Sequence, residues 1–158
     1  MEKVILGVGF LLFTPERLSR LFVVRELKDK PSISKESGML SFPLETAEES
    51  DGGVAENTIW RLVEEEIGVD RNLVVILGVE QRRFKLIPGR DDIETVYGYG
   101  LFLGNPEEHK FSPSDTDIVF AGWKTIGEMS NSFTRVETLP ILMHFVDNHF
   151  HEVTREIA

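Results

Sequence analysis

One helical segment interrupts an otherwise β-rich chain, and that order limits the folds available. Residues about 54–67 carry apolar side chains at helical spacing and are stopped by Gly68. Upstream, "VILGVGFLLF" (4–13) and "RLFVVREL" (20–27) are β-rich runs joined by "TPERLS", which reads as a hairpin. "KDKPSISKESG" (28–38) is a polar loop, "MLSFP" (39–43) a short strand stopped by Pro43, and "LETAEESDGG" (44–53) an acidic loop. Asp51 or Ser50 is placed to help cap the helix. Downstream, "LVVILGVEQRRFKLI" (73–87) and "IETVYGYGLFLG" (93–104) form a hairpin across "PGRDD", and "DIVFAGWKTI" (117–126) holds another strand. A second helix closes the sequence over roughly 136–156, with Leu139, Leu142, Met143, Val146, Phe150, Val153 and Ile157 on one stripe. Strands, helix, strands, helix predicts an α/β or α+β sandwich: a mixed sheet with helices packed on its faces, in a single domain over 1–158.

Composition narrows the function classes. The chain has 158 residues, enough for one full-sized core. Its formal net charge of -10 disfavours a nucleic-acid duplex or an anionic membrane as main partner. A small phosphorylated ligand stays open, because divalent cations bridge carboxylates to phosphates. There is no cysteine, which excludes disulfides, Cys-ligated zinc and thiol catalysis and fits a reducing cytoplasm. The long apolar run 4–13 is too short to span a bilayer and lacks the flanks of a signal peptide; it reads as a buried strand.

The internal helix ends in three consecutive glutamates. At about 100° per residue, Glu66 lies about 40° to one side of Leu62 and Glu65 about 60° to the other, while Glu64 points about 200° away. Thr58 and Ala55 share the Leu62 stripe. Ile59, Trp60, Val63 and Ile67 form a separate apolar face directed at the sheet. Two carboxylates at a helix C-terminus repel each other and meet the negative end of the dipole. Arg61 relieves part of this by pairing with Glu65 at i,i+4, and a bound Mg2+ or Mn2+ would relieve more. A solvated helix end and a metal site both remain open on spacing alone. The helical angles predict Glu65 and Glu66 exposed in a groove.

"R-L-V-E-E-E-I-G-V" (61–69) resembles the second half of the Nudix box, G-x5-E-x7-R-E-U-x-E-E-x-G-U with U a bulky aliphatic residue. The matches are Arg61, Val63, Glu65, Glu66, Gly68 and Val69. "FVVRE", "SFP" and "AGWKTIGEM" stand where that family has its second strand, its apolar-Pro step and its late strand with Trp. The resemblance implies a Nudix-like α/β/α sandwich. It also implies metal-dependent hydrolysis of a nucleoside-diphosphate derivative, with Mg2+ or Mn2+ held by Glu65 and Glu66 as catalytic residues. The implied substrate contacts are Arg25 and Arg61. The box is degenerate: Leu62 replaces a ligand Glu, the earlier box Glu falls on Gly53, and the opening Gly falls on Ala47. Glu45, Glu48, Glu49 and Asp51 could supply a replacement carboxylate, as could Glu94, Glu107 or Glu108 from later in the chain.

Two functions follow from different classes. One is a Nudix-like pyrophosphohydrolase of weak activity. The other is a catalytically silent Nudix-fold module that binds a nucleotide or a protein. The expected partner is a small nucleotide-type ligand, in the cytoplasm, and a homodimer is compatible with the sequence. Arg82, Arg83 and Lys85 form a basic cluster, either facing phosphates or lying on the solvent side of a strand. His144, Asp147 and His151 share a face opposite the terminal apolar stripe and read as a polar surface or as a zinc site. Tyr97 and Tyr99 alternate with Gly98 and Gly100, so they lie on one side of a strand.

Overall fold

The computed structural model describes residues 3–157. Seven strands among the described residues form one mixed sheet: β1 (Ile5–Phe13), β2 (Leu21–Glu26), β3 (Leu40–Ser41), β4 (Leu44–Thr46), β5 (Val74–Phe84), β6 (Ile93–Phe102) and β7 (Ile118–Lys124). The central order is β3-β2-β1-β6-β5, with β4 added to β1 and β7 to β2. β1 runs parallel to β6, from Ile5↔Ile93 to Phe13↔Leu101, and the other pairings are antiparallel. Both expected hairpins form. The acidic segment 44–53 is only partly a loop, because Leu44, Glu45 and Thr46 pair with Gly9, Val8 and Gly7 of β1.

Helices cover both faces. α1 (Ala55–Leu62) continues through a π turn (Val63–Ile67) and ends at Gly68, whose φ of 75° and N–H bond of 2.9 Å to the Val63 carbonyl close the segment. The Ser112 carbonyl occupies the space a Cβ at Gly68 would need. One core holds Ile59, Leu62, Val63 and Ile67 against Val8, Phe10, Phe22 and Phe102. Trp60 is only partly buried and stacks under Arg71, 5.4 Å from the ring.

The opposite core is sealed by α3 (Thr138–Phe145), a second π turn (Val146–Phe150) and α4 (His151–Ile157), after the short α2 (Ile126–Ser130). Here the sequence reading needs correction. Leu142 and Val153 are buried as expected, but Met143 is 51% exposed, while Ile141 and Phe145 are fully buried. His144 faces the sheet and bonds Tyr97, whereas Asp147 and His151 face solvent. Within α3 the buried stripe runs through Ile141, Leu142 and Phe145, which turns Met143 outward, and the π turn that follows takes more residues per turn, so a constant 100° wheel misplaces residues beyond it.

Candidate active site

Arg61 organises the ground between β4 and α1. Asp51, at the end of the turn preceding the helix, accepts from Arg61 Nη2 at 2.8 Å, the Thr58 hydroxyl at 2.8 Å and the Glu48 N–H at 2.9 Å. Arg61 also donates to the Thr46 carbonyl at 2.9 Å, with Glu45 and Glu48 at 3.3 Å and Glu65 at 3.9 Å. The expected Arg61–Glu65 pair is therefore the longest of four, and the guanidinium is committed to the protein's own carboxylates. Asp51 does not cap the helix; Val54 is the N-cap, with no side-chain bond. The motif spacing puts the earlier box Glu at Gly53, yet the carboxylate that bonds Arg61 is Asp51, two residues earlier. Gly52 and Gly53, both at positive φ, make the turn that displaces it.

The Arg61 bond, with smaller help from Glu48 and Thr58, holds the Asp51 carboxyl at about 2, below its ordinary 3.8. A lowered folded-state pKa stabilises above the unfolded value and is lost as pH falls through the folded one. Asp51→Asn should therefore cost about 2 kcal/mol near pH 7 and remove stability that wild type loses between pH 3.8 and about 2. Chemical denaturation at several pH values reads both effects, and an unchanged acid limb in Asp51→Asn would contradict this assignment.

The two box glutamates differ in environment. Glu65 is exposed to 46% of its side chain, but Glu66 is only 3% exposed, against the expectation that both line an open groove. Leu62 is fully buried. The cause is β4 and the Glu49–Asp51 turn, which pack on α1 and cover the Thr58–Leu62–Glu66 stripe. Glu66 Oε2 is buried with no protein partner. Burial first, then the nearby charges of Glu45 and Asp115, raise its pKa well above the ordinary value. Burial also raises Glu45, opposed by Arg61 and reinforced by Glu65. The loop 112–115 closes the far end, where the Ser114 and Asp115 N–H groups donate to the Glu65 carbonyl at 2.8 and 3.2 Å.

Beside these carboxylates lies a cleft of about 480 Å³. Its apolar walls are Ile5, Leu44, Ile87 and Ile93, and its carboxylates are Glu45, Asp115 and Glu137. Four cations reach it: Lys30, Lys35, Arg90 and Arg135. Arg90 is clamped by Asp92 through two 2.9 Å bonds, and Arg135 is fixed between Glu26 and Glu137. Lys30 and Lys35 stand on the polar loop where its ends meet, Lys30 N–H to Lys35 carbonyl at 2.7 Å. Sequence reasoning missed all four, since they come from separated segments with no motif spacing.

The other candidates lie elsewhere. Arg25 is exposed on β2, between Leu40 of β3 and Val119 of β7, and does not line the cleft. Glu94 pairs with Arg83 at 3.1 Å and Glu107 with Arg20 at 2.6 Å. Glu108 is exposed in the turn after Asn105, and Glu49 is exposed as well. Arg82, Arg83 and Lys85 are exposed on or just beyond β5, Arg82 resting 5.1 Å over Phe84.

The unpartnered Glu66 oxygen is the kind of group a hard cation satisfies, so the donor set suits Mg2+ or Mn2+. The box carboxylates do not close tightly around a point, because Arg61 draws Glu45 and Glu65 to itself. Among the described residues, a group with three ligand atoms all within 4.8 Å of one another is formed instead by Glu80, His144 and His149.

No protein-family model and no curated protein matches the sequence. Solved structures do. The NUDIX domain of Shewanella oneidensis NrtR, complexed with ADP ribose, superposes with a TM-score of 0.69 at 14% identity, covering 93% of this chain and 89% of that one. The chain has the Nudix fold. A NUDIX hydrolase from Nitrosomonas europaea gives a TM-score of 0.63 at 18% identity over 95% of this chain and 90% of its own. A C. elegans Ap4A hydrolase gives 0.62 at 13% over 91% and 96%. At such identities the likeness carries the Nudix architecture, and chemistry must be argued from the side chains present.

Proposed function

We propose that the chain is a weak, metal-dependent hydrolase of a nucleoside-diphosphate derivative. The observation that carries this reading is Glu66, a buried carboxylate with one oxygen unpartnered and with Glu45 and Asp115 close enough to hinder its ionisation. Mg2+ or Mn2+ would be held by Glu65, Glu66 and Glu45, the last standing in for the carboxylate missing at position 62. Such a cation would neutralise phosphate charge and acidify a bound water. Lys30 would receive the phosphates, and the apolar wall formed by Ile87 and Ile93 would shelter the group attached to them. Arg61 would act by holding Glu45 and Glu65 in place rather than by touching substrate. A small nucleotide-type ligand is supported by similar structures, the NrtR NUDIX domain complexed with ADP ribose and a bifunctional NMN adenylyltransferase/ADP ribose pyrophosphatase from Francisella tularensis complexed with AMP and Mn. The lack of cysteine supports a cytoplasmic setting.

A second reading, a module that binds such a ligand without cleaving it, is favoured by the full burial of Leu62. The deciding experiment is a screen of nucleotide diphosphate derivatives, ADP ribose and Ap4A included, for hydrolysis with Mg2+ and Mn2+. The hydrolase reading expects turnover that falls at least about 100-fold in Glu66→Ala. Binding without turnover in any metal would leave the second reading standing.

A further inference from the structure

We infer that Glu80, His144 and His149 form a transition-metal site, best suited to Zn2+, on the face of the sheet opposite the box helix. Two of the chain's four histidines meet a carboxylate there. His149 Nε2 lies 2.9 Å from Glu80 Oε1, and His144 Nδ1 lies 4.0 Å from the same oxygen. All three side chains are largely buried.

The backbone explains why they meet. Five residues along an ordinary α-helix leave two side chains about 140° apart. The π turn Val146–Phe150, which follows His144 and contains His149, brings positions five apart onto one face. His144 and His149 therefore both look down on β5 and β6. Such turns carry a cost in regular packing and recur at functional sites.

The surroundings suit a cation. Tyr99 OH lies 3.3 Å from His149 Nδ1, the partner that fixes which nitrogen points toward Glu80. Tyr97 OH lies 2.7 Å from His144 Nδ1. Coordination through that nitrogen would free the Tyr97 hydroxyl to bond a water in the fourth position. Glu80 Oε2 is held by the Arg82 N–H at 3.0 Å, which aims Oε1 at the histidines. The charges of Glu152 and Glu156 also reach Tyr99, so the local field is negative. Two imidazoles with one carboxylate match zinc's donor preference, and ligand atoms already within 4.8 Å of one another would draw in around the ion to bonds of about 2.0–2.2 Å. The site would clasp the terminal helices to β5, independently of whatever the box carboxylates bind.

The test is calorimetry of the full chain, stripped with chelator, titrated with Zn2+, alongside the visible spectrum of the Co2+ form. One site per chain is expected, with tetrahedral-type Co2+ bands, and Tm should rise by roughly 5–10 °C at zinc about 100-fold above Kd. His144→Gln, His149→Gln and Glu80→Gln should each abolish binding, and Tyr99→Phe, which removes the bond to the non-coordinating nitrogen of His149, should weaken it about tenfold. His151→Ala and Glu66→Ala should leave it intact, and far-ultraviolet dichroism checks that each variant folds. A wild-type Kd weaker than about 100 µM, or zinc binding that survives His149→Gln, or binding lost in Glu66→Ala, overturns the assignment.

Discussion

Arg135→Met should lower the melting temperature by about 10 °C. Arg135 is 7% exposed and lies between two buried carboxylates, with Nη1 3.2 Å from Glu26 and Nη2 2.9 Å from Glu137. Lys35 is the remaining cation of the group, 3.5 Å from Glu26. Two positive and two negative charges balance; without Arg135 one negative charge is left unmatched in the interior. Breaking a buried pair costs about 3–5 kcal/mol, and a chain of this length loses about 2–4 °C per kcal/mol. The group already carries an uncompensated desolvation cost, since Glu26 Oε2, Glu137 Oε1 and Arg135 Nε are buried without hydrogen-bond partners. The double variant Arg135→Met/Glu137→Gln should therefore recover part of the loss, because it removes the charge stranded by the first change. Thermal denaturation of wild type, single and double variants measures both. A shift under about 2 °C for Arg135→Met, which is under about 1 kcal/mol, would show that the ions are solvated and contribute little. The arrangement also bears on the cleft, because Arg135 and Glu137 line it and the Arg135 N–H donates to the Leu40 carbonyl at 3.0 Å.

The strands were legible because β-branched and aromatic runs bounded by Gly and Pro leave few alternatives, and β1, β5, β6 and β7 fall inside their expected spans. Tyr97 and Tyr99 lie on one face as their alternation requires, and Gly98 between them makes room for Ile59 of α1. What stayed hidden depends on partners rather than on local pattern. Leu44–Thr46 looks like part of an acidic loop and becomes a strand only because β1 offers an edge. That strand in turn buries Glu66 and Leu62, which a helical wheel places on a common stripe without saying what will cover it. Asp51 escaped a motif count because the register slips by two residues at a glycine turn. His149 escaped pairing with His144 because the helix is not uniform, and a wheel assumes that it is.

Leu62→Glu is expected to destabilise the protein by several kcal/mol and to gain no cation affinity. On the helical wheel, position 62 completes a three-carboxylate cluster with Glu65 and Glu66, so restoring Glu should restore a ligand. The fold argues otherwise. Leu62 is fully buried and packs in the core with Val8, Phe10, Ile59 and Val63. Its stripe is closed by β4, where Glu45 already faces Arg61. A carboxylate at 62 would give up the apolar contacts of a core leucine, worth about 2–5 kcal/mol when cut back to alanine. It would also stand near Glu66, whose ionisation burial already opposes. Two neighbouring carboxylates in a dry setting do not both ionise readily, so the new side chain would tend to hold a proton rather than a cation. Glu45→Gln makes the opposite comparison. It removes a proposed ligand that is partly exposed, so the fold should survive while Mn2+ affinity and any hydrolysis fall at least about tenfold. Mn2+ calorimetry and melting curves for wild type, Leu62→Glu and Glu45→Gln separate the two schemes. Tighter Mn2+ binding in Leu62→Glu, with Tm unchanged and Glu45→Gln without effect, would mean that position 62 is a vacated ligand site and that β4 supplies nothing in its place.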